Sequence, residues 1–186
     1  MNEKIVANSS KVSEPVGLQN IFLIEPTEEW KMEFLAMAKE YQAAGSDRYK
    51  SALENFPVYL EQVLNYARGI KLNADRVPGN EFWLVNDGKV IANSRLRHRV
   101  NPALEHEGGH IGYDVRPSER QKGYGTLILK LTLEKAKDLS LDKVLLTCDT
   151  DNIASAKIIE KNGGKLAGQA ISNRTGKQIS RYWIEI

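Results

Sequence analysis

The stretch from Gly109 to Thr150 constrains the fold most, because it encodes a strand, a turn, a helix and a second strand in succession. GHIGYDVRP predicts the first strand, which Pro117 stops. TLILKLTLEKAKDLS is rich in strong helix formers and apolar nearly all round at its start, which predicts a buried helix. DKVLLTCDT is a compact apolar run typical of another strand. A strand, a helix and a strand in this order form a unit with a right-handed crossover.

Two helices and a hairpin are predicted before this unit. IFLIEPT predicts a strand that leads into a helix ending at Gly45. SALENFPVYLEQVLNYARG predicts a second helix, with Val58 and Leu60 on its apolar side. NEFWLVNDGKVIANSRLRHRVN predicts an antiparallel pair of strands, because the residues NDG at its centre tolerate the backbone of a tight turn. PALEHEG is predicted to be a loop.

The chain after the unit completes the expected architecture. NIASAKIIEKNGG predicts a helix, and RYWIEI predicts a final strand that pairs with one at about residues 165–171. The expected fold class is therefore α/β (α+β), with a mixed, mostly antiparallel central sheet of about 6–7 strands flanked by about four helices. Residues 1–18 are polar and without pattern, which predicts a flexible amino-terminal segment, and residues 19–186 are expected to form a single domain.

Composition narrows the classes of partner. The 186 residues include 26 Lys and Arg against 24 Asp and Glu, a net charge of +2, which disfavours nucleic acid and anionic membranes as partners. No apolar stretch approaches the roughly 20 residues that span a bilayer, and the first residues lack the apolar centre of a signal peptide. Cys148 is the single cysteine, so no internal disulfide is expected. These features predict a cytoplasmic protein.

The turn RPSERQKGYGT, between the first strand and the helix of the unit, predicts an anion site. A helix that begins directly after a strand presents free N–H groups and a positive dipole end. Gly123 and Gly125 would leave room for a phosphate, and Arg120 and Lys122 would add charged hydrogen bonds. The motif departs from both the P-loop and the dinucleotide fingerprint. A flexible solvated turn, or a different nucleotide ligand, remains an alternative.

These residues resemble the GNAT superfamily of N-acetyltransferases. RQKGYG matches the signature Arg/Gln-x-x-Gly-x-Gly/Ala and lies between the fourth strand and the third long helix, where the family carries it. TCDTDNIASAKIIEKNGG resembles the strand, Asn-containing turn and helix of that family, and the order of elements is similar from about Leu18 to Ile186. GGHIGYDVRPSERQKGYGT is most similar to a bacterial branch of predicted acetyltransferases. The resemblance therefore implies a GNAT-like fold.

The resemblance also implies a reaction and a set of ligand contacts. It implies transfer of an acetyl group from acetyl-CoA, as cosubstrate, to a primary amine of a small molecule or peptide, by direct attack in a ternary complex. Backbone amides of the turn would bind the pyrophosphate, and the fourth strand and the Asn-containing turn would contact the pantetheine arm. The cofactor-binding residues implied in this way are Val115, Arg120, Gln121, Lys122, Gly123, Tyr124, Gly125, Thr126, Asn152 and Ser155. For Asn152 and Ser155, a helix cap is an equally good interpretation.

One family feature is missing. Many relatives carry a tyrosine on the helix after the fifth strand that protonates the departing thiolate, and this chain has Ile159 at that position. The thiolate then departs unaided, or Ser155, a water or a residue of another element assists it. The alternative function is a non-catalytic acyl-CoA-binding or regulatory module. No metal is expected.

Several other side chains are candidates for chemistry or for structure. His110 and Ser155 are the candidate catalytic residues, with His98 a weaker candidate base. Glu119 is expected to form a structural ion pair, and Tyr113 to pack in the core. Arg95, Arg97 and Arg99 alternate along one strand, which favours a solvated sheet edge over a site for an acidic acceptor or the 3′-phosphate of coenzyme A. The acceptor is not specified by the sequence, and a homodimer through the exposed final hairpin is a further expectation.

Overall fold

Seven strands and six α-helices make up the described part of the chain, which is residues 20–186 of a computed structural model. In chain order they are β1 (Ile21–Ile24), α1 (Lys31–Ala43), α2 (Lys50–Glu54), α3 (Phe56–Ala67), β2 (Gly79–Asn86), β3 (Lys89–Arg97), α4 (Pro102–His106), β4 (Ile111–Val115), α5 (Tyr124–Asp138), β5 (Lys143–Asp149), α6 (Ile153–Lys161), β6 (Lys165–Ile171) and β7 (Gln178–Glu185). The predicted flexible segment, residues 1–18, lies outside the described residues.

The strands form two antiparallel sheets, in the orders β1-β2-β3-β4 and β5-β7-β6. The predicted fold class is confirmed, with the difference that the sheet is divided between β4 and β5. The sheets meet where the amide of His110 donates to the carbonyl of Leu145, at 2.7 Å. Gly109 makes this approach possible, because its φ is +60° and a Cβ there would collide with the same carbonyl. A cleft opens beside this junction.

The tight turn predicted for the hairpin is confirmed. Asp87 and Gly88 have φ values of 47° and 74°, as a tight turn between β2 and β3 requires. The segment PALEHEG was expected to be a loop and forms α4 instead. The side chain of Asn101 caps this short helix by accepting the amide of Leu104 at 2.9 Å, and Pro102 starts it.

The second predicted helix is two helices with a break at Asn55. The side chain of Asn55 accepts the amide of Val58 at 3.3 Å and thereby caps α3. Of the residues expected on its apolar side, Leu60 packs against the core, whereas Val58 is 46% exposed. The helix is anchored mainly by Phe56 and Tyr59, which are buried.

Helices cover both faces of the four-stranded sheet. On one face the helices α1 to α3 pack aromatic rings onto β2, including Phe34 stacked on Trp83 with ring centroids 4.2 Å apart. On the other face α5 packs against β3 and β4, and Ile128 and Leu129 are fully buried. Within residues 20–186, every helix is too short or too polar to cross a membrane.

Candidate functional site

The turn RPSERQKGYGT is fixed to α1 by a carboxylate. Glu40 accepts the guanidinium of Arg116 at 2.6 Å and the amide of Ser118 at 3.0 Å. Burial raises the pKa of Glu40, but the hydrogen bonds from Arg116 and Ser118 lower it by more. The pKa of this carboxylate therefore lies below its usual range. Arg116 is only 13% exposed. It therefore holds the turn in place and is not a free cation for a ligand.

Backbone amides at the end of the turn are the next feature of the site. Gln121 and Gly123 have φ values of 63° and 87°, and Gly123 caps α5. The amides of Thr126 and Leu127 donate to the carbonyl of Gly123 at 3.1 and 3.2 Å. Among residues 20–186, no acceptor is found for the amides from Gln121 to Gly125. The positive end of a 15-residue helix thus carries a cluster of free donors.

The two glycines of the motif have different structural roles. A Cβ at Gly123 would meet no atom within 4 Å, so this position is open to solvent. A Cβ at Gly125 would lie 2.7 Å from Cδ1 of Ile158 on α6. Gly125 is therefore required for the packing of α5 against α6. A role of Gly125 towards a phosphate stays a prediction beside this packing role.

The side chains of the turn differ in the contacts that they already make within the protein. Lys122 pairs with Glu119 at 2.8 Å, which confirms the ion pair expected for Glu119. Arg120 donates from Nε to the carbonyl of Val115 at 3.3 Å and lies over the ring of Tyr41. The Tyr124 hydroxyl accepts a bond from the Asn86 amide at 3.1 Å, so the part of Tyr124 that faces the site is its backbone. Of the predicted amide donors, that of Thr126 is already used inside α5.

The free edge of β4 lies next to these amides. In the β3–β4 ladder the amide of Arg116 donates to Ile91, so alternate residues of β4 bond to β3 and the intervening ones face away. Tyr113 and Val115 are residues that face away. The Val115 carbonyl accepts the Tyr41 hydroxyl at 2.7 Å, which leaves the Val115 amide and the backbone of Tyr113 on the edge.

Tyr113 and Ser155 meet across the cleft. The Tyr113 hydroxyl lies 3.0 Å from Oγ of Ser155, and the Ser155 amide donates to the Asn152 side chain at 3.0 Å. The cap interpretation of Asn152 is thereby confirmed. Burial raises the pKa of Tyr113 to about 12, so this hydroxyl keeps its proton at neutral pH. Ile159, at the position of the family's tyrosine, is 1% exposed and packs in the core.

This pair could not be predicted from the sequence, because the two residues are 42 positions apart. Tyr113 was expected only to pack in the core, and its ring is indeed partly buried there. Its hydroxyl also reaches Ser155, which no periodic pattern can show. Cys148 on β5 is half-buried and lines the smaller of the two cavities described below.

His110 is placed as a structural residue. It is 6% exposed, and its Nδ1 accepts the amide of Leu145 at 2.9 Å while its own amide donates to Leu145. An Nδ1 that accepts leaves the ring proton on Nε2 in the neutral form. Burial and the charge of Arg97 lower the pKa of His110. The geometry thus disfavours the catalytic role predicted for His110. Nε2 of His98 forms a hydrogen bond with Oδ1 of Asn80, at 2.6 Å.

The opposite face of β4 carries Asp114 and borders the smaller of two cavities, and the larger cavity continues from it along β3. Asp114 accepts bonds from Arg48 at 2.7 Å and Arg95 at 2.9 Å. β3 lies between β2 and β4, so the expected sheet edge for Arg95 and Arg97 is wrong. Arg99 lies beyond the end of β3 and is exposed. The cavities have volumes of about 1030 and 660 Å³ and share Arg95 and Arg97 in their walls.

Comparisons with known proteins agree with this arrangement. Residues 20–165 match the family model described as acetyltransferase (GNAT) domain. RimL, a ribosomal L7/L12 alpha-N-protein acetyltransferase solved with coenzyme A, is similar at 16% identity and a TM-score of 0.69, over 92% of this chain and 97% of that one. MccE, a microcin C7 self-immunity acetyltransferase solved with acetyl-CoA and AMP, is similar at 17% identity and a TM-score of 0.66, over 90% and 93%.

A third similar structure is a spermidine N-acetyltransferase, a chimera of SpeG from Vibrio cholerae and hSSAT. It has 16% identity and a TM-score of 0.63, over 90% of this chain and 96% of that one. No curated protein matches the sequence. At these identities the solved structures establish a shared fold, and the acceptors in their names belong to those proteins.

Proposed function

The chain belongs to the GNAT acetyltransferase family, and from that premise we propose that it is an acetyl-CoA-dependent N-acetyltransferase. It would transfer the acetyl group to a primary amine of a small molecule or peptide by direct attack in a ternary complex. The observation that carries the proposal is the cluster of free amides from Gln121 to Gly125 beside the open edge of β4. RimL and MccE were solved with coenzyme A and with acetyl-CoA, which supports this choice of ligand.

The residues of the site fit the parts of that ligand. Free amides at a helix start, with Arg120 and Lys122 exposed beside them, suit a pyrophosphate. The free edge of β4 at Tyr113 and Val115 suits the amides of a pantetheine arm, which would pair with it as an added strand does. Asn152 keeps its amide nitrogen available while its oxygen caps α6.

The chain itself supplies a proton donor for the reaction. Bound acetyl-CoA would supply a thioester, and transfer would form a C–N bond to the acceptor as the C–S bond breaks, with the acceptor nitrogen losing a proton and the departing sulfur gaining one. The Tyr113 hydroxyl and the Ser155 hydroxyl form a protonated pair in the cleft. Ser155 is fixed there because its backbone amide donates a hydrogen bond to the side chain of Asn152. The pair can donate a hydrogen bond to a developing thiolate, in place of the tyrosine that Ile159 replaces.

Ligand binding is tested by calorimetric titration with acetyl-CoA. Three proteins are compared: the wild type, Gly123→Ala and Gly123→Glu. Because φ at Gly123 is 87°, any side chain there is strained, and Gly123→Ala measures that strain alone. We expect Gly123→Glu to bind at least about tenfold more weakly than Gly123→Ala, since the carboxylate repels the phosphates. Equal affinities for the two variants would place the ligand elsewhere.

Transfer is tested by the release of coenzyme A in the presence of a panel of amines. Release that depends on an amine supports the proposed enzyme. Tight binding of acetyl-CoA without release from any amine would support the acyl-CoA-binding module instead. Competition by ADP as strong as by coenzyme A would favour a different nucleotide at the same turn.

A further inference from the structure

The guanidinium of Arg97 lies in the wall of both cavities and is bonded to backbone carbonyls. Its Nη1 donates to the carbonyls of Gly108 and Gly109 at 3.3 and 2.9 Å. Among residues 20–186, no carboxylate oxygen lies within 4.0 Å of it, whereas Arg48 and Arg95 both pair with Asp114. Backbone carbonyls satisfy donors without cancelling the positive charge.

The surroundings of Arg97 leave that charge exposed to a ligand. The side chain of Arg97 is partly buried, and this burial lowers the pKa of Arg97. The charges of Arg95 and Arg76 lower that pKa further, whereas the Tyr66 hydroxyl raises it. A desolvated cation next to other cations gains strongly from an anion that enters the cavity. Its planar fork suits the oxygens of a carboxylate or phosphonate.

Gly112, which lies close to Arg97, marks the place where the acceptor amine would react. It lies directly opposite Arg95 in the β3–β4 ladder, and a Cβ at Gly112 would meet no atom within 4 Å. Such a glycine inside a strand often marks the approach of a ligand. Gly112 lines the smaller cavity together with Thr147 and Cys148 of β5. Arg97 is diagonal to Gly112 in the ladder, at about 7–8 Å in such pairs.

The larger cavity extends from Arg97 towards β2 and α3. Tyr59, Tyr66 and Val77 line it, and it provides room for an acceptor side chain. Glu81 at its base is 8% exposed, and one of its oxygens accepts bonds from Tyr59, Trp83 and Asn93. With three donors on that oxygen, Glu81 belongs to the fixed wall of the cavity opposite Arg95.

We propose that the acceptor is an amine that also carries an anionic group a few bonds away, a carboxylate or a phosphonate, and that Arg97 binds this group. The amine then lies at Gly112, and the rest of the acceptor occupies the larger cavity. This inference rests on the proposed function. It favours amino-acid-like acceptors over polyamines, because a polyamine brings no anion to pair with Arg97.

The test is a steady-state comparison of matched acceptors on the full chain. One set is L-amino acids and aminoalkylphosphonates, and the other is the corresponding amino-acid amides together with spermidine, each over a range of pH to allow for different amine pKa values. We expect kcat/KM to be at least about tenfold higher for the anionic acceptors. A preference within that set between carboxylates and phosphonates identifies the anion. Amides or spermidine used equally well would overturn the inference while leaving the transferase intact.

Variants locate the anion at Arg97. Arg97→Gln should raise KM for anionic acceptors about tenfold or more and leave KM for amides and for acetyl-CoA unchanged. Arg174→Gln is the matched control, because Arg174 lines the same smaller cavity but already pairs with Glu107 at 3.3 Å, and its KM values should not change. Gly112→Leu should raise KM for every acceptor without weakening acetyl-CoA. Equal losses for anionic acceptors and amides in Arg97→Gln would contradict the assignment.

A separate readout distinguishes failure of this inference from failure of the proposed function. If acetyl-CoA binds but no amine is acetylated, binding of the anionic acceptors is measured by calorimetry in the presence of coenzyme A. Binding that Arg97→Gln loses and Arg174→Gln keeps supports the anion site without transfer. Binding that Arg97→Gln keeps, or the absence of binding by every anionic acceptor, sinks the inference.

Discussion

At the scale of single residues, the atoms that a side chain has already committed decide what it can do. His110 has a residue type suited to proton transfer, but its Nδ1 is occupied by the Leu145 amide in a buried junction. Ser155 and Tyr113 are ordinary hydroxyls, yet they lie 3.0 Å apart in the cleft and both can donate. The chemistry at this scale therefore follows the hydrogen-bond partners more than the residue type.

Removal of either hydroxyl should slow transfer more than it weakens binding. We expect Tyr113→Phe and Ser155→Ala each to lower kcat by at least about tenfold, because a positioned proton donor contributes at this scale or above. KM for acetyl-CoA should change little. The double variant should lose little more than the stronger single variant, since the two hydroxyls act as one unit. Additive losses in kcat would show that they act separately.

Protonation of His110 should destabilise the fold. Its pKa is lowered by burial and by Arg97, so the unfolded chain takes up the proton first as the pH falls. The stability from neutral His110 is complete above about pH 6.5 and is lost as the pH falls from there towards the lowered pKa. We expect the free energy of unfolding in urea to fall more steeply between about pH 7 and 5 for the wild type than for His110→Gln.

His98 provides the control for that measurement. Its pKa is also lowered, first by burial and then by Arg99, so His98→Gln removes a second titration of the same sign. The part of the pH dependence of the unfolding free energy that is lost in His110→Gln but retained in His98→Gln is assigned to the junction between His110 and Leu145. An identical slope in the wild type and His110→Gln would show that the bond to Leu145 does not depend on the proton.

At the scale of elements, the glycine motif is a packing device as well as a ligand turn. α5 approaches α6 closely because Gly125 has no side chain to meet Ile158. The same approach brings the start of α5 next to β4, since Val115 also lies within van der Waals distance of a Cβ at Gly125. One residue of the motif therefore positions the helix, and its neighbour Gly123 presents the amides.

A compensating pair of substitutions tests this packing. Gly125→Ala should lower the free energy of unfolding by about 1–3 kcal/mol, because its Cβ overlaps Cδ1 of Ile158 at 2.7 Å. Ile158→Val removes that atom. The double variant should therefore recover part of the loss, with the coupling measured by urea unfolding of all four proteins. Strict additivity of the two losses would mean that the helices separate by another route.

At the scale of the whole molecule, the division into two sheets creates the site. Each face of β4 borders a different space: Tyr113 and Ser155 on the side of α5 and α6, and Gly112 with the arginines on the side of the cavities. Two ligands can thus reach one strand from opposite faces, as a ternary complex requires. The outer strand β6 lies at the far edge of the second sheet and exposes Leu166 and Ile171 by more than half.

The exposed strand makes the expected homodimer testable. If β6 pairs between subunits, the wild type should sediment at about twice the chain mass of 20.9 kDa. Leu166→Glu should then shift the protein towards the monomer by placing like charges at the interface. Lys165→Glu serves as a control for the added charge at a neighbouring position. A wild type that sediments as a monomer at all concentrations would contradict the expectation.

The sequence by itself determined the order of the strands and the long helices, the hairpin at Asp87 and Gly88, and the turn that marks the family, but not the break at Asn55 or the short helix α4. These features depend on residues that are close in the chain, so periodicity and turn chemistry reveal them. Only the tertiary structure decided which groups are free. Among residues 20–186, Arg97 has no carboxylate within 4.0 Å, whereas Arg48 and Arg95 both pair with Asp114, and Tyr113 reaches Ser155 because the fold brings β4 and α6 together. Such contacts arise from packing between distant segments, which a pattern within one segment does not contain.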